Sequence, residues 1–216
     1  MSDRQEDVQL WQADPDVDLL RGIEVDDDTI DRGVLEAVIM LAVEIAREGR
    51  EGRKIGTMFV VFDAKETLER SRCLILDPLW HHARSARRID DPNLRETAKE
   101  LAQLDGAFIV DDDGVLLSAC RYISASSDGI DLPLGLGSRH MAGASISRQT
   151  RAVAIVVSQS SMVRVFDDGE IIAEIIPELW LFRWRSLHLD EEFAMHSGER
   201  MTVASRTKQR ESDNDD

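Results

Sequence analysis

The sequence has 216 residues, of which 43% are apolar, so it is long enough for one domain with a full core and is not disordered throughout. Its formal net charge of −16 makes nucleic acid an unfavourable partner, because an acidic surface repels a phosphate backbone. The sequence has no run of about 18 apolar residues, no basic and apolar leader and only two cysteines, so we expect no membrane span, no secretory signal and a reducing, cytoplasmic location.

Lysine occurs only at positions 54, 65, 99 and 208, so arginine supplies most of the positive charge. An acidic composition with few lysines fits a halophilic source, where salt screens the self-repulsion of the chain. It also fits an acidic mesophilic protein with charged tails, and composition alone leaves both interpretations open.

The first half of the chain alternates between helical and strand patterns. Residues 1–27 are rich in Asp and Glu without a clear period, which predicts a loosely ordered acidic segment. Apolar residues at helical spacing from Ile30 to Ile45 then predict a helix that Asp28 or Thr29 caps and Gly49 ends. The next predicted elements are a buried strand at 56–63, a short helix at 64–70, a second strand at 73–76 and a helix that begins at Asp91-Pro92.

Two Asp-rich turns dominate the second half and predict β-hairpins. The first hairpin joins strands 107–110 and 115–122, and the second joins 162–166 and 170–176. Between them the sequence predicts a loop at 124–137, a helix at 138–148 and a strand at 152–158.

The elements together predict one domain at residues 28–196, with a central mixed β-sheet flanked by helices, of the α/β class with α+β as the alternative. Within it, residues 177–189 are apolar and aromatic at helical spacing, which predicts a helix that packs on the body or on a partner subunit. Residues 197–216 are polar and end in acidic residues, which predicts a disordered tail.

The first motif with chemical potential is Asp105-Gly106-Ala107, between a predicted helix and a predicted strand. Gly106 would let the backbone approach a ligand closely, and Asp105 could hold a divalent cation. An Asp-Gly pair is also common in plain turns, so the motif alone leaves a structural role open.

The second motif lies where Gly135, Leu136 and Gly137 lead into a helix that starts with Ser138-Arg139-His140. Free N–H groups at a helix start bind phosphate, Ser138 could cap the helix or donate to a phosphate oxygen, and Arg139 could clamp an anion. A cation in the first turn is unfavourable for the helix itself, which favours a ligand role. The alternative is an ordinary capped helix with an exposed Arg139 and His140.

A third candidate is Ser158, at the end of a strand and followed by Gln159, Ser160 and Ser161. Open α/β sheets bind ligands at such strand ends, although a polar turn would explain the same residues. His81 and His82 are adjacent and do not share a helix face, so a loop or surface role suits them better than metal binding.

In this order and spacing, the segments resemble the diadenylate cyclase domain, the nucleotide-binding domain also found in the bacterial DNA-integrity-scanning protein. That family is marked by an Asp-Gly-Ala motif and, some thirty residues on, by an Arg-His-Arg motif, which here reads Arg139-His140-Met141. The resemblance extends to the flanks at 47–61, 132–137 and 152–158, is to archaeal-type single-domain members and covers residues 30–176.

The resemblance implies an enzyme, a nucleotidyltransferase that joins two ATP molecules into the second messenger cyclic di-AMP and releases two pyrophosphates. It implies a homo-oligomer whose active sites face each other, and a divalent cation, Mn²⁺ or Mg²⁺, held by Asp105. The catalytic residues would be Asp105, Arg139 and His140. The ATP-binding residues would be Gly106, Ala107, Gly137, Ser138, Arg139, His140 and Ser158.

The sequence departs from the family pattern at two places. Met141 stands where the family usually has Arg, and Gln159-Ser160 stand where many members have Glu-Glu. A thioether cannot replace a cation at a phosphate, so either Arg148 or Arg151 supplies that charge or the activity is low. The alternatives are therefore a catalytically degenerate module that binds ATP or cyclic di-AMP, and a scaffold that recruits a partner through the aromatic segment 180–184.

Overall fold

The computed structural model describes residues 23, 25, 30–177, 193–197 and 202–206. The chain divides into two units, Met1–Ile175 and Ile176–Asp216. The first unit contains a seven-stranded mixed sheet with helices on its faces, which confirms the predicted fold class. Its elements are α1 (Arg32–Glu48), β1 (Thr57–Val61), α2 (Ala64–Glu69), β2 (Ser71–Cys73), a short 3-10 turn (Arg84–Arg87), α3 (Pro92–Leu101), β3 (Ala107–Val110), β4 (Leu116–Ile123), α4 (Ser138–Gln149), β5 (Val153–Val157), β6 (Val163–Asp167) and β7 (Glu170–Ile175).

The strand order is β2-β4-β3-β1-β5-β6-β7, with β1 at the centre. β1 is parallel to β3, and all other neighbours in the sheet are antiparallel. The first residues of β1 and β3 therefore share one edge of the sheet with the last residue of β5, since Met58 pairs with Ala107 and Thr57 pairs with Val157.

The two faces of the sheet carry separate cores, because successive side chains of a strand point to opposite faces. In β1, Phe59 and Val61 belong to the core that contains α1 and α3, while Met58 and Val60 belong to the core that contains α4. Phe59 stacks on Phe108 with ring centroids 4.8 Å apart. A strand buried on both faces must be apolar throughout, which explains the continuous apolar run in the sequence.

Helix α1 begins two or three residues later than its predicted caps. Its N-cap is Asp31, whose carboxylate accepts hydrogen bonds from the N–H groups of Gly33 and Val34, and not Asp28 or Thr29, which lie outside the described residues. Gly49 ends the helix as predicted, at a positive φ of 59° that favours glycine.

A cluster of charged residues ties α3 to α1. Lys99 lies 3.1 Å from Glu44 and 3.2 Å from Glu48, and Arg95 lies 2.6 Å from Glu44. Burial acts to lower the pKa of Lys99, but the hydrogen bond to Glu96 and the charges of Glu44 and Glu48 outweigh it, so the pKa lies above its ordinary value. The ammonium group is therefore charged and compensated despite being buried.

The second predicted strand is displaced in the structure. β2 comprises Ser71–Cys73 instead of residues 73–76. Leu74 still donates its N–H to the Cys120 carbonyl at 2.9 Å, but Asp77 then turns the chain by accepting from the N–H of Leu79. Both predicted hairpins are confirmed, whereas the 3-10 turn was not predicted.

The described part of the second unit is an antiparallel hairpin of β8 (Phe193–Ser197) and β9 (Thr202–Arg206). β9 lies inside the segment 197–216 predicted to be disordered, so that prediction does not hold for these five residues. The predicted aromatic helix at 177–189 lies outside the described residues apart from Pro177, as does most of the acidic segment 1–27, of which Ile23 is buried in a core. In the described residues, no helix has the length and apolar character needed to span a membrane.

Candidate active site

The two predicted motifs meet at the sheet edge where β1 and β3 begin, β5 ends and α4 begins. Asp105 and Gly106 directly precede β3, and Ser138 opens α4. An open cleft of about 210 Å³ lies here. Its walls are formed by Met58, Leu74, Asp105, Gly106, Ala107, Arg121, Tyr122, Ile123, Ala125, Ser138, Arg139, Met141 and Ala142.

Asp105 and Arg139 form an ion pair at the cleft, with Arg139 Nη2 donating to Asp105 Oδ1 at 2.8 Å. The Asp105 side chain is 78% exposed and that of Arg139 is 36% exposed, so the pair contributes little to stability. The position of the pair matters more than its strength, because it places one anionic and one cationic group at the cleft within reach of a ligand.

Gly56 leaves room for the Arg139 side chain. A Cβ at this position would lie 2.9 Å from Arg139 Nη1 and 3.2 Å from Gln159 Cγ, so the start of β1, the start of α4 and the turn after β5 converge here. Ser158 lies in that turn but does not line the cleft. Its hydroxyl lies 2.7 Å from the Ser160 hydroxyl and accepts from the N–H of Met162 at 3.2 Å.

Gly106 is required by the fold itself. Its φ is 109°, and a Cβ would lie 2.7 Å from the Cys120 carbonyl carbon, where β4 bulges and Cys120 has a φ of 55°. The structure thus explains this glycine by close packing of the β3 entry on β4, a reason that differs from the ligand approach expected from the sequence.

The start of α4 is open to solvent on the cleft side. Its N-cap is Gly137 and no side chain caps it, so Ser138 does not have the capping role considered from the sequence. The N–H groups of His140 and Met141 donate to the Gly137 carbonyl, while those of Ser138 and Arg139 have no backbone acceptor in the described part of the chain. Unpaired N–H groups at a helix start are suited to binding an anion.

His140 points away from the cleft. It is 7% exposed, packs its ring against Phe166 and accepts a hydrogen bond at Nε2 from Arg164 at 3.1 Å. Burial and then the charges of Arg164 and Arg139 lower its pKa below the ordinary value, against a weaker opposing effect of Glu174. Arginine has only donors, so the neutral ring carries its proton on Nδ1, which is buried without a partner.

The donor set at the cleft fits a cation that is shared with a substrate. No group of three or more His, Cys, Asp and Glu side chains forms a metal site within the described residues. Among the described residues, Asp105 is the one carboxylate that lines the cleft. Mg²⁺ is commonly held by one or two carboxylates together with substrate phosphates, so a single exposed carboxylate is compatible with it.

Sequence reasoning missed the wall that β4 contributes to the cleft. Arg121, Tyr122 and Ile123 line it, as do Met58 and Leu74 from other strands or their ends. The signal that was available is Arg121, which is the one charged residue of the strand Leu116–Ile123.

Comparison with known proteins places most of the first unit in one family. A protein-family model described as "DisA bacterial checkpoint controller nucleotide-binding" matches residues 44–171. A diadenylate cyclase of Methanocaldococcus jannaschii is 48% identical over 66% of this chain and 45% of its own length. A diadenylate cyclase of Haloferax volcanii is 42% identical over 69% of this chain and 55% of its own length, so the chain spans about half the length of these relatives.

Solved structures show more distant likenesses. A double mutant of DacA from Staphylococcus aureus has a TM-score of 0.45 and 20% identity, over 71% of this chain and 94% of the other. A hypothetical membrane-spanning protein from Bacillus cereus has a TM-score of 0.45 and 17% identity, over 64% of this chain and 59% of the other.

Proposed function

This chain belongs to the family of diadenylate cyclase nucleotide-binding domains, and from that membership we propose that it condenses two ATP molecules into cyclic di-AMP and releases two pyrophosphates. One observation carries the proposal in the structure. Asp105 and Arg139 come from motifs 34 residues apart in the sequence, and they meet at 2.8 Å on the cleft.

The reaction requires a hydroxyl to attack a phosphate. The 3′-oxygen of one ATP forms a bond to the α-phosphorus of the other, the bond from that phosphorus to the bridging oxygen breaks, and pyrophosphate leaves. The hydroxyl proton goes to a base, for which the exposed Asp105 carboxylate is the acceptor at the cleft. Arg139 and the free N–H groups at the start of α4 hold the phosphates and stabilise the charge that develops on them.

Asp105 would also hold the divalent cation, Mg²⁺ or Mn²⁺, which when bound neutralises phosphate charge. To bind a phosphate, Arg139 would have to leave the Asp105 carboxylate, which it contacts at 2.8 Å. Gly106 and Ala107 line the nucleotide, Gly137 and Ser138 form the helix start beside the phosphates, and Ser158 supports that region from the turn after β5.

Two sites must face each other for this reaction, because each nucleotide supplies a nucleophile to the other. The high exposure of Asp105 supports such an arrangement, since its carboxylate remains accessible to a nucleotide held by a second subunit. We therefore propose a homo-oligomer with facing sites, located in the cytoplasm.

The role of Asp105 can be tested by substitution. With ATP and Mn²⁺, the protein should form cyclic di-AMP, detected by mass spectrometry, and Asp105→Asn should reduce the rate by about 100-fold or more, because it removes both the base and the metal ligand. Asp168→Asn is the matched control, because Asp168 is 76% exposed and pairs with Arg148 at 2.8 Å away from the cleft. Full activity of Asp105→Asn would refute the assignment.

The alternative is a module that binds ATP or cyclic di-AMP without turnover. Met141 favours it, because this thioether lines the cleft at the position where the resembled family has a cation. The same experiment separates the two functions: bound nucleotide with no product from the unmodified protein, at low and high KCl, would establish the binding module.

A further inference from the structure

Arg121 is a cation of the cleft that the reaction scheme above does not use. It lies in β4, opposite Ala107 of β3 and Cys73 of β2 in the strand register, and its side chain lines the cleft. In the described residues it forms no ion pair with a carboxylate, whereas the other cleft cation, Arg139, is paired with Asp105. Its hydrogen-bond partners among the described residues are all neutral groups.

The Arg121 guanidinium is fixed by the segment that leads into β2. Nε donates to Ser71 Oγ at 3.2 Å, and Nη2 donates to the carbonyls of Leu68 at 3.1 Å and Ser71 at 2.9 Å. Nη2 also lies 3.0 Å from Ser71 Oγ, and Nη1 donates to Cys73 Sγ at 3.0 Å. These contacts occupy four of the five N–H groups that a guanidinium carries.

The occupied donors decide which ligand the group can receive. Bidentate binding of a phosphate needs two parallel N–H groups, and Arg121 has only one left. All five N–H groups lie in the guanidinium plane, so the contacts to Leu68, Ser71 and Cys73 fix the orientation of that plane. These in-plane contacts use neither face of the guanidinium for hydrogen bonding, and a guanidinium face attracts an aromatic ring by stacking and cation–π interaction.

The neighbouring wall is suited to a flat apolar group. Met58, Leu74, Ile123, Ala125 and Ala142 line the same cleft, whereas the groups suited to phosphate lie at Ser138 and Arg139. We propose that the guanidinium face of Arg121 is the platform on which the purine base of the bound nucleotide stacks. The proposal rests on the nucleotide binding in the proposed function, and it does not require turnover.

The test separates the base from the phosphates. Binding of 3′-deoxy-ATP with Mg²⁺, which lacks the attacking hydroxyl, is compared by calorimetry with binding of inorganic tripolyphosphate with Mg²⁺. Arg121→Lys keeps the charge but removes the plane, so it should weaken 3′-deoxy-ATP about tenfold, as expected for loss of one stacked base, and leave tripolyphosphate unchanged. Arg88→Lys, at an exposed arginine that pairs with Asp90 and does not line the cleft, should change neither.

A second variant tests the proposal independently in case Arg121→Lys does not fold. Ser71→Ala keeps Arg121 but removes the hydroxyl that two of its nitrogen atoms contact, so it should weaken 3′-deoxy-ATP by a smaller factor, again without effect on tripolyphosphate. Equal losses for both ligands would show that Arg121 binds phosphate, and no loss for either would show that it contacts no nucleotide; each result overturns the proposal. If the unmodified protein binds 3′-deoxy-ATP but makes no cyclic di-AMP from ATP, the proposed cyclase activity fails and the stacking proposal is still tested.

Discussion

Arg139 and His140 are adjacent in α4, but their side chains have opposite environments. Arg139 reaches the cleft, while His140 is enclosed by Phe166 and Arg164 from β6, with Glu174 of β7 beyond Arg164. Successive residues of a helix are rotated by about 100°, so the residue after one that reaches the cleft can face the sheet. We infer that His140 supports the cleft by anchoring α4 to the sheet instead of touching phosphate.

This environment predicts a pH dependence of stability. The pKa of His140 is lower in the folded state than its unfolded value of about 6.5. At a pH between these two values, the imidazole is protonated in the unfolded state and neutral in the folded state, so protonation favours unfolding. The free energy of unfolding should therefore fall as the pH is lowered from 7.5 to 5.5. His140→Gln can still accept from Arg164 and should show a shallower fall in urea titrations; an identical slope in both proteins would refute the buried neutral imidazole.

The resemblance carried by the two motifs assigned Asp105 and Arg139 to one predicted site, and the structure brings their side chains together at 2.8 Å. The side-chain direction of His140 was not predictable in the same way, because it depends on how α4 is rotated against β5 and β6. Arg121 was missed because strands are predicted from the spacing of their apolar residues. The contacts that hold its side chain come from Leu68, Ser71 and Cys73, about 50 residues earlier in the chain, and local sequence does not indicate them.

At the level of elements, the junction between β3 and β4 positions the site. Gly106 lies between Asp105 and β3 and packs directly on the bulged backbone at Cys120. Because Asp105 is the preceding residue, any displacement of this junction moves the carboxylate relative to Arg139. The packing of two strands and the geometry of the cleft are therefore coupled.

Gly106→Ala should destabilise the fold by about 3 kcal/mol, since the new Cβ would overlap the Cys120 backbone and the φ of 109° is unfavourable for alanine. Gly137→Ala is the control for stability, because a Cβ there meets nothing within 4 Å and its φ of −86° suits any residue, so its change should stay within about 0.5 kcal/mol. Urea denaturation measures both, and equal stabilities would contradict the predicted overlap.

Local signals predicted most elements, and the exceptions have physical causes. The Asp-Gly turns specify both hairpins through their own backbone preferences. The strand predicted at 73–76 was misplaced because its apolar residues are exposed, Leu76 by 94%, so their pattern does not report a buried strand. The central place of β1 between β3 and β5 depends on pairing between distant segments, which no local pattern contains.

On the scale of the whole molecule, the net charge of −16 acts against the compact state. Many of the described ion pairs are exposed, such as the pair of Arg88 with Asp90. Such pairs contribute little to the free energy of unfolding, so the stability that is lost when salt screens them is small. The buried cluster of Lys99 with Glu44 is screened less. Repulsion among the uncompensated negative charges is therefore the larger salt-dependent contribution to the free energy of unfolding.

The melting temperature should consequently rise with KCl, most steeply between 0.01 and 0.15 M, where the Debye length falls from about 30 to about 8 Å. Calorimetric scans at pH 7 measure this rise, and scans near the pI of about 4.7 are the control, because the net charge is then close to zero and the rise should disappear. A further large gain in molar KCl would support adaptation to high salt. A melting temperature that is flat or falling with KCl at pH 7 would show that the exposed ion pairs outweigh the net repulsion, and would favour the mesophilic interpretation of the composition.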